Sequence, residues 1–143
     1  MKLNACFVLL FSATILAQQP HTSASSLKHL LAQQGFTGLL EGKVAFSRLG
    51  RLDCGTGKLE VFYYSWEESH PPGLAIHASY RVVLLEDGSK YVGSYQVQDR
   101  PARSTRTAIL FNYPEGDGNT ISCDGDSLPQ SVVLNGEFEI LEK

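Results

Sequence analysis

Between Leu74 and Asp99 the chain reads LAIHASYRVVLLEDGSKYVGSYQVQD, and this stretch constrains the fold more than any other. Apolar and polar residues alternate on both sides of Asp87-Gly88, a dipeptide that tolerates the positive φ angles of a tight type I′ turn. A two-residue loop there pairs Glu86 with Ser89, Leu84 with Tyr91, Val82 with Gly93 and Tyr80 with Tyr95. In that register Ala78, Tyr80, Val82 and Leu84 share one face with Tyr91, Gly93, Tyr95 and Val97. The opposite face takes His77, Ser79 and Arg81 against Ser94, Gln96 and Gln98, with Val83 and Val92 near the turn. Both arms agree on which side is apolar, so burial specifies the register. A hairpin alone is marginal in water, and other elements must cover its apolar face.

Those elements are mostly further strands. Gly38 to Leu49 reads as one, with Val44 and Phe46 as core residues, followed by a turn region from Gly50 to Gly57 that holds Cys54. Lys58 to Trp66 (KLEVFYYSW) is rich in aromatic and β-branched residues and reads as a second strand, stopped before Pro71 and Pro72. After the central hairpin, Arg100 to Ser104 is a loop, Thr105 to Tyr113 a strand and Pro114 to Asn119 a turn returning through Thr120 to Cys123. A last hairpin joins Ser131–Leu134 to Glu137–Leu141 around Asn135-Gly136, the second type I′ dipeptide. Ahead of all these, Ser25 or Ser26 caps a short helix whose Leu27, Leu30 and Leu31 share a face and which stops at Gly35. At about ten residues such a helix is unstable alone and must dock on the sheet. About eight strands with regular turn signals predict a mainly β fold, an antiparallel sandwich or small barrel with one short N-terminal helix. The alternative is an α+β fold, a helix on a curved antiparallel sheet.

The first residues bear on the compartment. Met1-Lys2 precedes an uncharged apolar run from Ala5 to Leu16, and Ala17 offers a small residue for cleavage, so residues 1–17 read as a signal peptide. That run is about a dozen residues long, short of the roughly 20 that cross a bilayer, and no second apolar segment follows. The expected product is secreted or periplasmic, with a flexible start over residues 18–26 and a single β-rich domain over 27–143. Loss of Lys2 takes the formal charge from −3 to −4. That acidity argues against nucleic acid and anionic membranes as partners. Cys54 and Cys123 remain in the mature chain, and in an oxidising compartment they pair.

Function is less legible. Arg51 to Lys58 (RLDCGTGK) is not a phosphate loop, because Leu52 stands where a glycine is needed and Leu59 where Ser or Thr is needed. No cofactor is implied. The row Phe62, Tyr64 and Trp66 lies on one strand face, either as core or as a flat platform for sugar rings or apolar ligands. It leads toward His70, and Arg100, Arg103 and Arg106 form a basic series able to hold a carboxylate or sulfate. The candidate ligand residues are therefore Tyr64, Trp66, His70, Arg100, Arg103 and Arg106. The acidic turns Glu115–Asn119 and Asp124–Asp126 carry oxygen ligands suited to calcium, yet neither matches the twelve-residue calcium loop. The four histidines lack metal-ligand spacing, and no metal site is assigned. The expectation is a non-catalytic exported protein that binds a glycan, an apolar small molecule or a protein in the extracellular space or envelope. The alternative is a small secreted hydrolase with His70 or His77 as base.

Overall fold

Alternation and turn chemistry lay the first half of the chain down as a four-stranded antiparallel sheet. A computed structural model describes residues 23–68, 71, 77–114 and 118–143. Among them are one helix, α1 (Ala24–Gln33), and nine strands: β1 (Lys43–Cys54), β2 (Gly57–Glu67), β3 (Ala78–Glu86), β4 (Lys90–Val97), β5 (Arg103–Ser104), β6 (Ile109–Leu110), β7 (Thr120–Ile121), β8 (Ser131–Leu134) and β9 (Glu137–Ile140). The first four make one sheet in the order β1-β2-β3-β4, β5-β6-β7 make a second, and β8-β9 pair as a hairpin. The expected signal peptide lies outside the described residues, and no helix among those described is long and apolar enough to cross a membrane.

The central hairpin forms, but in a different register from the one expected. Asp87 and Gly88 have the positive φ angles of the turn, 48° and 69°, and the Ser89 N–H donates to the Glu86 carbonyl at 3.1 Å. Beyond it Glu86 pairs with Lys90 and Leu85 with Tyr91, and then Leu84 pairs with Gly93, Val82 with Tyr95 and Tyr80 with Val97. The shift leaves Val92 as an extra residue in β4, a bulge. Val82, Leu84, Tyr95 and Val97 keep the face foreseen for them, whereas Tyr91 crosses to the other. A second bulge does the same in β1, where Arg48 pairs with Phe62 and Gly50 with Val61. Val44 and Phe46 therefore lie on one face, and Leu52 and Cys54 on the opposite one. The strand runs on through the expected turn region, and the chain reverses at Gly55-Thr56 instead.

The sheet is apolar on both sides, because β2 and β3 carry apolar residues at consecutive positions and the switches add Leu52, Cys54 and Tyr91 to the faces they need. One face holds Val61, Val82, Leu84, Tyr95 and Leu52 against Ile109, Phe111, Ile121, Val132, Leu134 and Leu141 from the second half of the chain. The other face, read from sequence as polar, buries Phe62, Tyr64, Val83, Leu85 and Tyr91 beneath Leu27, Leu31 and Phe36. The helix begins three residues before the expected domain boundary at Leu27, with Ser23 as its N-cap in place of Ser25 or Ser26. Its far end is tied down by Gln34, whose amide donates to the Ser89 carbonyl at 2.9 Å and accepts from the Tyr91 N–H at 2.5 Å. The result is a mainly β, sandwich-like fold with the helix on its outer face, and the strands do not close into a barrel.

The second layer is more broken than its sequence suggests. Of the expected strand Thr105–Tyr113 only Ile109–Leu110 forms, because Thr105 closes a turn on Ala108 through both its N–H (2.8 Å) and its hydroxyl (3.0 Å). The expected loop Arg100–Ser104 contributes β5. The last hairpin forms as foreseen, turning at Asn135 (φ 51°) and Gly136 (φ 78°) and pairing Leu134 with Glu137 and Ser131 with Ile140. Cys54 and Cys123 are bonded, with Cα atoms 5.3 Å apart, and tie β1 to the segment after β7.

The C-terminal residues close the sandwich by crossing β4. Glu142 exchanges two backbone hydrogen bonds with Ser94, each of 2.9 Å, directly over Gly93. A Cβ on Gly93 would lie 2.6 Å from Leu141 Cδ1 and 2.8 Å from the Glu142 carbonyl oxygen. Gly93→Ala is expected to destabilise by about 1–3 kcal/mol, the range for overpacking. Urea unfolding measures it, and wild-type stability would show that the C-terminal segment shifts freely.

Candidate functional site

The row Phe62, Tyr64 and Trp66 faces α1 and belongs to the core. Tyr64 is fully buried, edge-on to Phe36 at 5.2 Å and tilted against Phe46 at 5.6 Å, with its hydroxyl donating to the Leu39 carbonyl at 2.5 Å. Burial pushes that hydroxyl pKa up, and Arg81 and the Leu39 hydrogen bond pull against it. Trp66 is half-buried and donates its indole N–H to the Glu41 carbonyl at 2.9 Å. Tyr64 thus presents no face to a ligand. His70 lies outside the described residues, and the alternative base His77 is exposed, its carbonyl accepting from the Glu68 N–H at 2.9 Å.

The aromatic surface is on the other side of the same strand. Tyr63 pairs with Val82 and Ser65 with Tyr80, so the two tyrosines are diagonal neighbours on the face opposite α1. Their rings stack with centroids 6.0 Å apart and planes 12° from parallel. Both are half-buried, resting on the edge of the larger core cluster. Ser47 lies opposite Tyr63 on the same face, and past the tyrosines toward the sheet end come Ala45, Ser65 and Ala78 and then the Lys43–Glu67 ion pair at 3.2 Å. The second layer supplies Tyr113, stacked on Phe111 at 5.2 Å, whose hydroxyl accepts from the N–H groups of Gln98 (3.1 Å) and Asp99 (3.0 Å).

Arg100 completes the cluster. Its guanidinium carbon lies 5.6 Å from the Tyr63 ring centroid, within cation–π range, and among the described residues it makes no ion pair. Burial, with Tyr80 and Asp99 nearby, pushes the Tyr63 hydroxyl pKa up to about 12, so it stays a neutral donor across the physiological range. Burial likewise raises Tyr113. The three arginines of the expected basic series go to different places. Arg106 is held by Asp53 at 2.9 Å, Arg103 is exposed on β5, and only Arg100 reaches the aromatic cluster.

Chemically, such a surface can seat a ring. Aromatic faces bind apolar ring faces, while the guanidinium and the exposed Asp99 supply a donor and acceptors at the rim; the Gln98 amide is engaged by Glu137 (3.3 Å) and Asn135 (2.5 Å). Tyr63 and Tyr80 were overlooked as ligand residues because their strands also carry a longer aromatic row. The available signal was positional: each is the last aromatic on its own face of the strand before a small residue (Ser65 after Tyr63, Ala78 before Tyr80). The acidic turn Asp124–Ser127 closes on itself through backbone bonds of 2.9 and 3.2 Å, while Glu115 and Asp117 lie outside the described residues. Among the described residues no three His, Cys, Asp or Glu side chains gather around a point that could hold a metal. Compared with known proteins, the chain matches no family model, no curated protein and no solved structure.

Proposed function

We propose that this is an exported, non-catalytic binding protein that seats a glycan ring on the surface formed by Tyr63, Tyr80, Tyr113 and Arg100. The observation that carries the reading is the half-exposed Tyr63–Tyr80 stack, with the Arg100 guanidinium over Tyr63 making no ion pair among the described residues and the small residues Ala45, Ser65 and Ala78 beside it. A sugar ring presents C–H groups on its faces and hydroxyls around its rim. The arrangement of aromatic faces bordered by Arg100 and Asp99 matches that division. Export is supported by the leader-like residues 1–17 and by the disulfide, which suits an oxidising compartment.

Calorimetric titration with neutral and uronate oligosaccharides tests the proposal. Tyr80→Ala and Arg100→Ala are each expected to weaken binding about three- to tenfold, the equivalent of roughly 0.5–1.5 kcal/mol for one stacking contact. Emission from Trp66, on the opposite face of β2, should not change in either variant and so reports that the fold is intact. Absence of binding to every saccharide at millimolar concentration, or wild-type affinity in Tyr80→Ala, would overturn it.

A further inference from the structure

The larger sheet ends in β4 on one side and β1 on the other. β4 is crossed by Glu142, whose backbone exchanges hydrogen bonds of 2.9 Å with Ser94. The far end of β1 is covered as well, where the Asp53 N–H donates to the Arg106 carbonyl at 2.7 Å. Its beginning is open. The Val44 N–H turns away from β2 and donates to the Gly42 carbonyl at 3.1 Å. In an antiparallel ladder alternate residues aim their backbone groups to the same side, so Phe46 and Arg48 face outward with Val44. The bulge in β1 comes only after Arg48 and leaves that alternation intact. Among the described residues no hydrogen bond takes the outward N–H of Phe46 or Arg48, or the carbonyl of Val44, Phe46 or Arg48.

Open sheet edges are ordinarily guarded by charge. Here the two cations of the segment are drawn back over their own sheet, Lys43 to Glu67 at 3.2 Å and Arg48 to Glu60 at 3.4 Å. Between them, on the face of α1, Val44 and Phe46 are only half-buried. Leu39 is 54% exposed, and its carbonyl takes the hydroxyl of Tyr64, the residue paired with Phe46. The edge therefore combines free ladder groups with an incompletely covered apolar row.

The order of those groups is its own complement. A two-fold axis through Phe46, perpendicular to the sheet, sets Phe46 against the partner's Phe46 and Val44 against the partner's Arg48. Each Phe46 N–H then meets the partner's Phe46 carbonyl, and each Arg48 N–H meets the partner's Val44 carbonyl. Lys43 falls opposite the partner's Leu49, so no like charges are paired across the axis. The Val44 N–H, already held by Gly42, is not needed.

We propose that the Val44–Arg48 segment of β1 pairs antiparallel with the same segment of a second copy, joining the two sheets into one with Phe46 on the axis. The interface is isologous and uses each copy's edge once, so it closes as a dimer. It does not depend on the glycan reading.

Sedimentation equilibrium of the oxidised protein is expected to show a reversible dimer with a Kd of about 10 µM to 1 mM, as for a small interface. Phe46→Lys sets two ammonium groups on the axis and is expected to weaken the dimer about tenfold. Val44→Lys and Val44→Glu separate pairing from any loss of fold, because both charge the same edge position and only the lysine repels the partner's Arg48. Val44→Lys should weaken association several-fold, and Val44→Glu should keep or tighten it. On concentrating the wild type, amide exchange should slow at Phe46 and Arg48 and stay unchanged at Ala45 and Ser47, which already face β2. A monomer at up to about 1 mM, a dimer indifferent to Phe46→Lys, or equal effects of Val44→Lys and Val44→Glu would overturn the proposal.

Discussion

Replacing both bridged cysteines, Cys54→Ala with Cys123→Ala, should lower the free energy of unfolding by about 4 kcal/mol on the chain-entropy model of crosslinks. The bridge closes a loop of 69 residues, which the unfolded chain explores far more freely without it. The folded state has little to offset such a loss locally. Strands β5, β6 and β7 are each two residues long, so the second layer gains few ladder hydrogen bonds and depends on its side chains reaching the first sheet. Cys54 sits at the end of β1 and Cys123 two residues past β7, so the bond holds the two layers together where the strands are shortest. Urea unfolding of oxidised, reduced and substituted protein measures the effect, and reduction should reproduce the substitution. A loss below about 1 kcal/mol in both would mean that the apolar core alone holds the layers.

The second large effect is expected at Arg81. Its residue is 8% exposed, the Arg81 NH1 donates to Glu142 at 2.6 Å, and its guanidinium lies 5.8 Å from the Phe36 ring. Thr37 also donates its hydroxyl to the Glu142 carboxylate, and the Tyr91 hydroxyl donates to the Glu142 carbonyl at 3.2 Å. One carboxylate thus joins the C-terminal segment, the connection after α1 and the middle of β3. Glu142→Ala leaves a buried cation without its partner and is expected to cost about 3 kcal/mol, the lower end of the range for breaking buried pairs. The lower end applies because the Glu142 side chain is 35% exposed and water screens the pair. Arg81→Met with Glu142→Gln should lose less than the two single changes together, since each single change already forfeits the shared Arg81–Glu142 contact. Fully additive losses would show that the two residues act independently.

Acid should expose the same contact. Burial raises the Glu142 carboxyl pKa, but the Thr37 hydroxyl and the Arg81 guanidinium outweigh it and hold the pKa below the ordinary 4.5. A depressed folded pKa means that the stabilisation is present above 4.5 and is lost as pH falls from there through the folded value. Glu139 works in the opposite direction. Burial and then Glu137 raise its pKa, so its charge opposes folding at neutral pH and protonation relieves that on acidification. Stability measured against pH should therefore fall less steeply on the acid side in Glu142→Gln than in wild type.

Much of the architecture was legible before any coordinates. Alternation around Asp87-Gly88 and Asn135-Gly136 located both hairpins, because only a few residues accept positive φ and strands need a period of two. The leucines at Leu27 and Leu31 announced a docked helix, and the two cysteines outside the expected leader announced the bridge. The candidate site was legible only in part. Arg100 was named in advance, whereas Tyr64 went to the core and Tyr63 and Tyr80 took the surface.

What the sequence by itself determined is local: the positions of turns, the strands long enough to alternate, the helix and its apolar stripe. What only the tertiary structure decided is which way each side chain finally points. The bulges at Leu49-Gly50 and at Val92 have one local sign, the strand glycines Gly50 (φ 147°) and Gly93 (φ 159°), and a strand glycine marks a bulge or a close approach without saying which. Each reverses the face of everything beyond it, and the packing of both sheet faces at once selects it. That is why Tyr91 lies under the helix and Leu52 and Cys54 lie in the larger core.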